Sequence, residues 1–351
     1  MNYLVMESGS NQKYNATSKA REDVNNILLS SGFKRLDVNT SYKRFNNKIL
    51  KLLQIPYMIH NKFKWIKKIK KINNSNILIQ YPALNSVMDF DKIIRKASVK
   101  NNVILLIHDL DSLRGNKKNI IRQEDKKNLC AASTIICHND SMKNEIIKMG
   151  IDSNKIIVLE IFDYLYDNIE FKNRKKNNEV IIAGNLSPQK VKYIEYINKI
   201  NNIVFNLYGV GYEETNSNNI CYKGKYSPVE LLNNLDGSFG LIWDGDSIEG
   251  CFGNMGNYLR YNNPHKLSLY MAAGIPVIAW KNAAISKFIK ENNVGILVDK
   301  LDDINNSINN ITNDEYKKMV KNCMKISKRL KDGFYTKKAI DLAVNKKGEK
   351  K

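Results

Sequence analysis

The sequence predicts an α/β protein built from two Rossmann-like domains that face a central cleft. Short runs of Val, Ile and Leu alternate with helix-length segments, which is typical of parallel strands covered by helices on both faces. The alternation starts again after a polar, basic stretch at residues 171–178. The chain has 351 residues, of which 43% are hydrophobic, so its length and composition suit two separate cores.

In the first half, strands are assigned where aliphatic and β-branched residues run together, and helices where apolar residues recur at helical spacing. Gly32 and Gly150 each follow a predicted helix, where glycine commonly ends the last turn. The predicted elements are strand 3–7, helix 16–31, strand 33–38, a mainly helical stretch 43–72 broken at Pro56, strand 76–81, helix 88–100, strand 103–108, helix 123–132, strand 134–137, helix 141–149 and strand 156–159.

The second half repeats this order and ends in helices. Its predicted elements are strand 180–183, helix 191–198, strand 203–208, helix 228–234, strand 239–243, a short helix from Lys266, strand 277–280, helix 285–292, strand 295–298 and helices 301–309, 314–331 and 334–345. We therefore expect an N-terminal domain at residues 1–170, a C-terminal domain at residues 171–330, and a C-terminal helix with a short tail at residues 331–351. Ligands of such sheets bind at the carboxyl ends of the strands.

Composition restricts the function. The net charge of +21 suggests a nucleic-acid partner, but the basic excess is shared almost equally between the two halves and no recognition motif accompanies it. Five scattered cysteines, without a CxxC pair, suit free thiols in a reducing cytoplasm and argue against structural zinc. No apolar run reaches the length of a membrane span, and the first residues lack the pattern of a signal peptide.

One local cluster of charge stands out, at Lys62 to Lys71. It contains six lysines, Phe63, Trp65 and no acidic residue. An amphipathic basic helix of this kind can lie on anionic lipid. The alternative is a solvated helix face whose apolar residues pack on their own domain. Both interpretations stay open at the level of sequence.

The stretch Asn263 to Trp280 is the most informative part of the chain. The Asn-Pro pair indicates a loop, and His265 and Lys266 then fall at the start of a helix. Free backbone N–H groups and the helix dipole attract anions at that position, so a lysine there can hold a diphosphate. Gly274 suits the end of the helix, and Pro276 opens the strand that follows.

This stretch resembles the nucleotide-binding segment of GT-B glycosyltransferases. More narrowly, the chain resembles the family of bacterial glucosyltransferases that extend N-acetylglucosamine on serine-rich-repeat adhesins, together with bacterial galactofuranosyltransferases. Many retaining GT-B enzymes carry two glutamates eight residues apart where this chain has Tyr261 and Leu269, which supports the narrower family. Four further segments match this family in order and spacing: Ser10-Asn11 with residues 15–20, residues 107–114, residues 183–187 and residues 207–211.

The resemblance implies a UDP-sugar donor bound by the C-terminal domain. Lys266 would neutralise the diphosphate, Lys190 or Lys192 would add a second cation, and Tyr208 would stack on or hydrogen-bond to the base or ribose. Asp244 and Asp246 have the spacing of a metal-binding DxD motif, but Lys266 favours a metal-independent site with no required cofactor. Asp244 and Asp246 would then orient the donor sugar hydroxyls or cap a loop. The full predicted donor site is Gly184, Asn185, Lys190, Tyr208, Gly209, Gly211, Asp244, Asn263, His265, Lys266 and Ser268.

The N-terminal domain is expected to present the acceptor. The predicted acceptor residues are Ser10, Asn15, Thr17 and Ser18, which follow the first strand. His108 and Asp109 end a buried strand and are the candidates for a general base, which an inverting transfer would need. The alternative is that His108 is a satisfied strand-end residue and Asp109 caps a helix.

The resemblance, together with these residues, implies a cytoplasmic hexosyltransferase, with contact to the inner membrane face as an option. It would move glucose or galactofuranose from a UDP-sugar to a hydroxyl of a protein-linked N-acetylglucosamine or a lipid-linked oligosaccharide, and it is expected to form a homo-oligomer. A non-catalytic scaffold that binds a partner transferase or a glycan is the alternative. A nucleic-acid binder is the least supported interpretation.

Overall fold

The computed structural model describes residues 1–7, 16–38, 54–84, 87–115, 119–167, 169–213 and 217–346. Within these residues the chain forms two six-stranded parallel sheets, with strand orders β2-β1-β3-β4-β5-β6 and β12-β11-β10-β7-β8-β9. The predicted α/β fold with two Rossmann-like sheets is therefore confirmed. The strands are β1 (Asn2–Glu7), β2 (Lys34–Val38), β3 (Asn76–Tyr81), β4 (Asn102–Ile107), β5 (Thr134–Cys137), β6 (Ile156–Val158), β7 (Glu179–Asn185), β8 (Val204–Val210), β9 (Ile220–Tyr222), β10 (Phe239–Ile242), β11 (Val277–Trp280) and β12 (Gly295–Val298).

Helices cover both faces of the N-terminal sheet. Side chains alternate along each strand, so Leu78 packs in one core while its neighbours Ile77 and Ile79 pack in the other. The core beneath Ile77 also contains Trp65 and Ile93, contributed by two crossover helices. The helices of this half are α1 (Ala16–Ser30), α2 (Ile55–Ile69), α3 (Phe90–Ser98), α4 (Asn119–Ala131) and α5 (Asp140–Lys148).

The last helix of the chain returns to the N-terminal half. The carbonyl of Ala343 accepts a hydrogen bond from Asn102 Nδ2 at 2.9 Å, and buried Asp163 accepts from the backbone N–H groups of Tyr335 and Thr336. The helices of the second half are α6 (Pro188–Val191), α7 (Pro228–Asn234), α8 (Gly253–Tyr258), α9 (His265–Ala272), α10 (Ser286–Asn292), α11 (Ile304–Asn309), α12 (Asn313–Lys331) and α13 (Phe334–Asn345).

The structure changes one predicted helix and adds two elements. Pro56 lies in the first turn of α2, where the N–H that proline lacks needs no partner. Residues 43–53 of that predicted stretch lie outside the described residues. The helix predicted at 191–198 is instead α6 followed by two short 3₁₀ segments, and β9 and α8 are additions. None of the described helices combines the length and the hydropathy that crossing a bilayer requires.

Candidate functional site

Lys266 lies at the centre of a charged cluster beside the first turn of α9. Its Nζ donates to Asp244 Oδ1 at 2.8 Å and to the carbonyl of Trp243 at 3.2 Å. Lys190 Nζ approaches the other carboxylate oxygen of Asp244 at 3.9 Å. Burial lowers the pKa of Lys266, and the charge of Asp244 opposes that shift. Three residues predicted separately from the sequence are thus brought together, with two cations around one anion.

The glycine-containing end of β7 lies beside this cluster and pairs with the end of β8. A Cβ on Gly184 would be 3.7 Å from Lys266 Cε, so the end of β7 lies directly against the lysine stem. A Cβ on Gly209, at φ +147°, would be 1.7 Å from the carbonyl oxygen of Gly184, so the ends of β7 and β8 are too close for any side chain. Gly211 contacts Ser187. The backbone is therefore left bare next to Lys266, which suits close approach of a phosphate.

Asn185 shapes the turn that carries Lys190. Its Oδ1 accepts from the N–H of Ser187 at 2.9 Å, and α6 begins at the next residue. The Lys190 carbonyl in turn accepts from the N–H of Gly245 at 2.9 Å. Asn185 thus has a local structural role. The backbone hydrogen bond between Lys190 and Gly245 holds the segment that carries Lys190 next to the segment that carries Asp244.

Tyr208 is not available to stack on a base. Its side chain is 1% exposed, and its hydroxyl accepts from the N–H of Asp236 at 3.0 Å, so it belongs to the domain core. The aromatic residues near the Gly209–Gly211 turn are Tyr212 and Tyr222, whose ring centroids lie 5.4 Å apart. Tyr212 could have been chosen from the sequence in place of Tyr208, because it directly follows Gly211.

Two further predicted donor-site residues join the halves of the molecule. Asn263 donates from its N–H to His138 Nδ1 at 3.0 Å and from its Nδ2 to the His138 carbonyl at 2.9 Å. Ser268 Oγ donates to the Phe162 carbonyl at 2.6 Å. These contacts hold α9 against the end of the N-terminal sheet, so Asn263 and Ser268 position Lys266 and do not face a ligand themselves.

His265 has the same positioning role. Its ring stacks on Tyr164 with centroids 5.2 Å apart, and burial lowers its pKa to about 4. On the same Tyr164 ring, Lys19 Nζ makes a cation–π contact at 4.8 Å from the ring centroid. Lys19 also donates to the Leu165 carbonyl at 2.6 Å. Lys19 was not among the predicted site residues. A neutral, stacked His265 leaves Lys266 as the charged residue of this turn.

On the opposing domain, Asp109 is the more accessible of the two predicted bases. Its carboxylate lies 3.4 Å from Arg114. Burial raises its pKa, and Arg114 opposes that shift. Tyr258 belongs to α8 of the C-terminal half, and its hydroxyl accepts from the N–H of Leu110, the residue after Asp109, at 3.0 Å. The two halves therefore meet beside this carboxylate.

His108 is held by other side chains. Its Nε2 lies 2.6 Å from Gln80 Oε1, and its ring stacks on Phe162 with centroids 5.1 Å apart. Burial lowers its pKa well below the usual value. These are the contacts of a satisfied strand-end residue, which was the alternative left open by the sequence.

The predicted acceptor residues are only partly described. Ser10 and Asn15 lie outside the described residues. Thr17 and Ser18 lie in the first turn of α1, which follows β1. The order of these elements is as predicted, and their contact with an acceptor stays a prediction.

The carboxylates of Asp244 and Asp246 have different neighbours. Asp244 points to Lys266, whereas the carboxylate of Asp246 lies against Gly253, where α8 begins. Among the residues that the structure describes, no group of three or more His, Cys, Asp or Glu side chains could hold a metal ion. The charge partner of Asp244 is a lysine.

Comparison with family models matches nearly the whole chain. The model described as "Glucosyltransferase 3-like, N-terminal domain" matches residues 2–161, and the model described as "Glucosyltransferase 3-like, C-terminal domain" matches residues 180–343. The two matches fall on the two sheets, and the interval between them contains the polar stretch predicted as a linker.

Two curated relatives agree with these matches. The beta-1,6-galactofuranosyltransferase WbbI of Escherichia coli K12 is 36% identical over 253 residues, which is 70% of this chain and 72% of that protein. Glucosyltransferase 3 of Streptococcus gordonii is 27% identical over 271 residues, covering 76% of this chain and 78% of that protein.

Solved structures share the fold at low sequence identity. Anabaena HepE in complex with UDP and glucose matches with a TM-score of 0.59 and 12% identity, over 97% of this chain and 98% of that one. The lipopolysaccharide outer core galactosyltransferase WaaB in its apo form matches with a TM-score of 0.61 and 15% identity, over 99% of this chain and 100% of that one. Both similarities concern the GT-B arrangement of two Rossmann-like domains.

Proposed function

The chain belongs to the glucosyltransferase 3-like family and is a GT-B glycosyltransferase; we propose that it moves glucose or galactofuranose from a UDP-sugar to a hydroxyl of a glycan acceptor. The observation that carries the proposal is the cluster of Lys266, Asp244 and Lys190 beside Gly184, at the carboxyl edge of the C-terminal sheet. The two relatives are named for transfer of these hexoses, and HepE, a structural neighbour, binds UDP.

Stabilisation of the leaving group is the main catalytic requirement. Breaking the sugar–phosphate bond builds negative charge on the diphosphate, and fixed positive groups aimed at that charge lower the barrier. Lys266 supplies such a charge, and the free N–H groups at the start of α9 add the partial charge of the helix dipole. Lys190 is a second cation within reach. We propose that these groups replace a metal ion.

Asp109 is the proposed general base. Its carboxylate is partly exposed and follows the carboxyl end of β4, beside the hydrogen bond from the Leu110 N–H to Tyr258 of the opposing half. A carboxylate with a raised pKa is better matched to removing a proton from a hydroxyl near neutral pH than an ordinary aspartate. Asp244 would orient hydroxyls of the donor sugar once a diphosphate has taken its place beside Lys266.

The acceptor and the cellular setting are finer proposals. We propose a protein-linked N-acetylglucosamine or a lipid-linked oligosaccharide as the acceptor, a cytoplasmic homo-oligomer as the active form, and peripheral contact with the inner membrane face through Lys62 to Lys71. The resemblance to glycan-building enzymes supports the first two, and the basic segment supports the third. Light scattering on the purified protein tests the oligomer, since a monomer at working concentration would contradict it.

A screen of UDP-sugars tests the activity directly. The purified chain is incubated with UDP-glucose, UDP-galactofuranose and other UDP-hexoses, with and without N-acetylglucosamine-terminated acceptors, and products are identified by mass spectrometry. We expect one hexose to be transferred or slowly hydrolysed, also in the presence of a chelator. UDP binding measured by calorimetry without turnover of any donor would favour the non-catalytic scaffold, and no UDP binding would remove the proposal.

A further inference from the structure

A groove of about 320 Å³ runs between α2 and α3, away from the cluster around Lys266. Its floor is aliphatic and includes Ile66, Ile93 and Ala97. Its rim carries five lysines: Lys62, Lys70, Lys92, Lys96 and Lys100. An apolar floor beneath a cationic rim matches a ligand that has an anionic head and an aliphatic body.

Three of the rim lysines are available for such a ligand. Lys62 and Lys92 share the carboxylate of Asp89, at 2.5 and 3.1 Å. The other three rim lysines are exposed and have no acidic partner among the described residues: Lys70, Lys96 and Lys100. Acidic residues are scarce in both helices, so the rim presents a nearly uncompensated positive potential.

The outer face of α2 adds an exposed apolar stripe. Ile55, Ile59 and Phe63 follow one another at four-residue spacing and are 38%, 38% and 64% exposed. The opposite face anchors the helix, because Trp65 is fully buried and its ring meets Phe90 edge-on at 5.2 Å. Phe63 is therefore not needed by the core of its own domain, and the helix is apolar near its start and basic near its end.

We propose that the α2–α3 groove and this stripe together form a docking surface for an anionic phospholipid bilayer. Lipid phosphates would pair with Lys70, Lys96 and Lys100, the upper acyl chain would lie on the isoleucine floor, and Phe63 would enter the interface. Single-stranded nucleic acid fits less well, because an aliphatic floor gives its bases no ring to stack on. This proposal rests on the proposed function in one respect: docking on a bilayer would bring the enzyme to a lipid-linked acceptor.

Vesicle co-sedimentation tests this surface. The full chain is mixed with phosphatidylcholine vesicles that contain or lack phosphatidylglycerol. We expect binding only to the anionic vesicles, and the triple variant Lys70→Gln, Lys96→Gln, Lys100→Gln should lose about 100-fold in affinity, at about fivefold per lysine. Phe63→Ser should weaken binding separately, because it removes apolar area without changing charge.

The matched control is the triple variant Lys318→Gln, Lys321→Gln, Lys325→Gln, which removes the same charge from exposed positions of α12. Equal loss in both triple variants, or none in the groove variant, would overturn the proposal. So would displacement of the protein from vesicles by millimolar inorganic phosphate, or tighter binding of single-stranded DNA that needs the same lysines. UDP affinity by calorimetry should be unchanged in the groove variant, which separates failure of this proposal from failure of the transferase.

Discussion

Lys266 and Asp244 form an ion pair of 2.8 Å in which both side chains are more than nine-tenths buried. A buried charge without a partner costs several kcal/mol, so each residue supplies the countercharge that the other needs. In the proposed function, an incoming diphosphate would take over the role of Asp244 beside Lys266, and the carboxylate would then be free to accept from sugar hydroxyls. The pair therefore links donor binding to the arrangement of the catalytic groups.

Removing the lysine should weaken nucleotide binding. Lys266→Ala deletes a charge-assisted hydrogen bond of about 1.5–3 kcal/mol, so UDP affinity should fall about 10- to 100-fold in calorimetry. Lys281→Ala serves as the control, since Lys281 is exposed in the same domain and pairs with Asp299. Unchanged affinity in Lys266→Ala would contradict the assignment of the diphosphate site.

The double variant Lys266→Ala, Asp244→Ala distinguishes two explanations of that loss. If Lys266 holds the diphosphate directly, affinity stays low when Asp244 is also removed. If Lys266 only neutralises Asp244, the double variant recovers affinity, because the carboxylate that would repel the diphosphate is gone. We expect no recovery, measured by the same calorimetric titration.

Asp244 should matter more for the sugar than for the nucleotide. Asp244→Asn keeps the shape of the side chain but weakens its acceptance of hydroxyl hydrogen bonds, so we expect kcat/KM for the UDP-hexose to fall at least about tenfold, or about 1.4 kcal/mol. UDP itself should bind as tightly as to the unmodified chain, or more tightly. Equal losses for UDP and UDP-hexose would instead place Asp244 among the diphosphate contacts. Asp246→Asn is the neighbouring control, since that carboxylate lies against α8.

The pH dependence of activity should report Asp109. The base works as a carboxylate, burial raises its pKa, and activity should therefore fall with decreasing pH at a higher pH than for an ordinary aspartate. Arg114 favours the ionised form, so Arg114→Gln should raise the pKa further and move the acid limb of kcat/KM to higher pH. The plateau at high pH should be largely kept, whereas Asp109→Asn should lose activity at every pH.

Arg122→Gln removes an exposed arginine from α4 and should leave the pH profile where it was. An acid limb that does not move in Arg114→Gln would show that another group titrates. UDP binding is the check on folding for each variant, because Asp109 and Arg114 belong to the opposing half of the molecule.

Regular elements with strong hydrophobic patterning were predictable. The helix expected at residues 334–345 begins and ends where α13 does, since its apolar residues keep helical spacing. The three residues of β9 have no such pattern, and their pairing with β8 is set by the rest of the sheet. The cluster of Lys266, Asp244 and Lys190 was also predictable, because carboxyl ends of parallel strands meet at one edge.

The direction of single side chains was less predictable. Parallel strands are buried on both faces, so nothing in the sequence of β8 tells whether Tyr208 faces the ligand edge or the core. Asn263 and Ser268 bond to residues more than one hundred positions away, and their roles depend on how the two halves meet. Such contacts exist only after the domains have packed.

Gly209 should be the most sensitive glycine of the site. Gly209→Ala places a Cβ 1.7 Å from the carbonyl oxygen of Gly184 and also strains the backbone, so the ends of β7 and β8 must separate. We expect about 2–5 kcal/mol of destabilisation in denaturant unfolding, together with weaker UDP binding.

Gly224→Ala is the matched control for this effect. Gly224 also has a positive φ, +93°, and it neighbours Gly209 through a backbone hydrogen bond of 2.9 Å, but a Cβ there would meet nothing within 4 Å. Only backbone strain of about 1–3 kcal/mol should appear, and UDP affinity should be unchanged. If both variants bind UDP equally well, the close contact between the strand ends serves the fold alone, and the bare backbone beside Lys266 is not part of the nucleotide site.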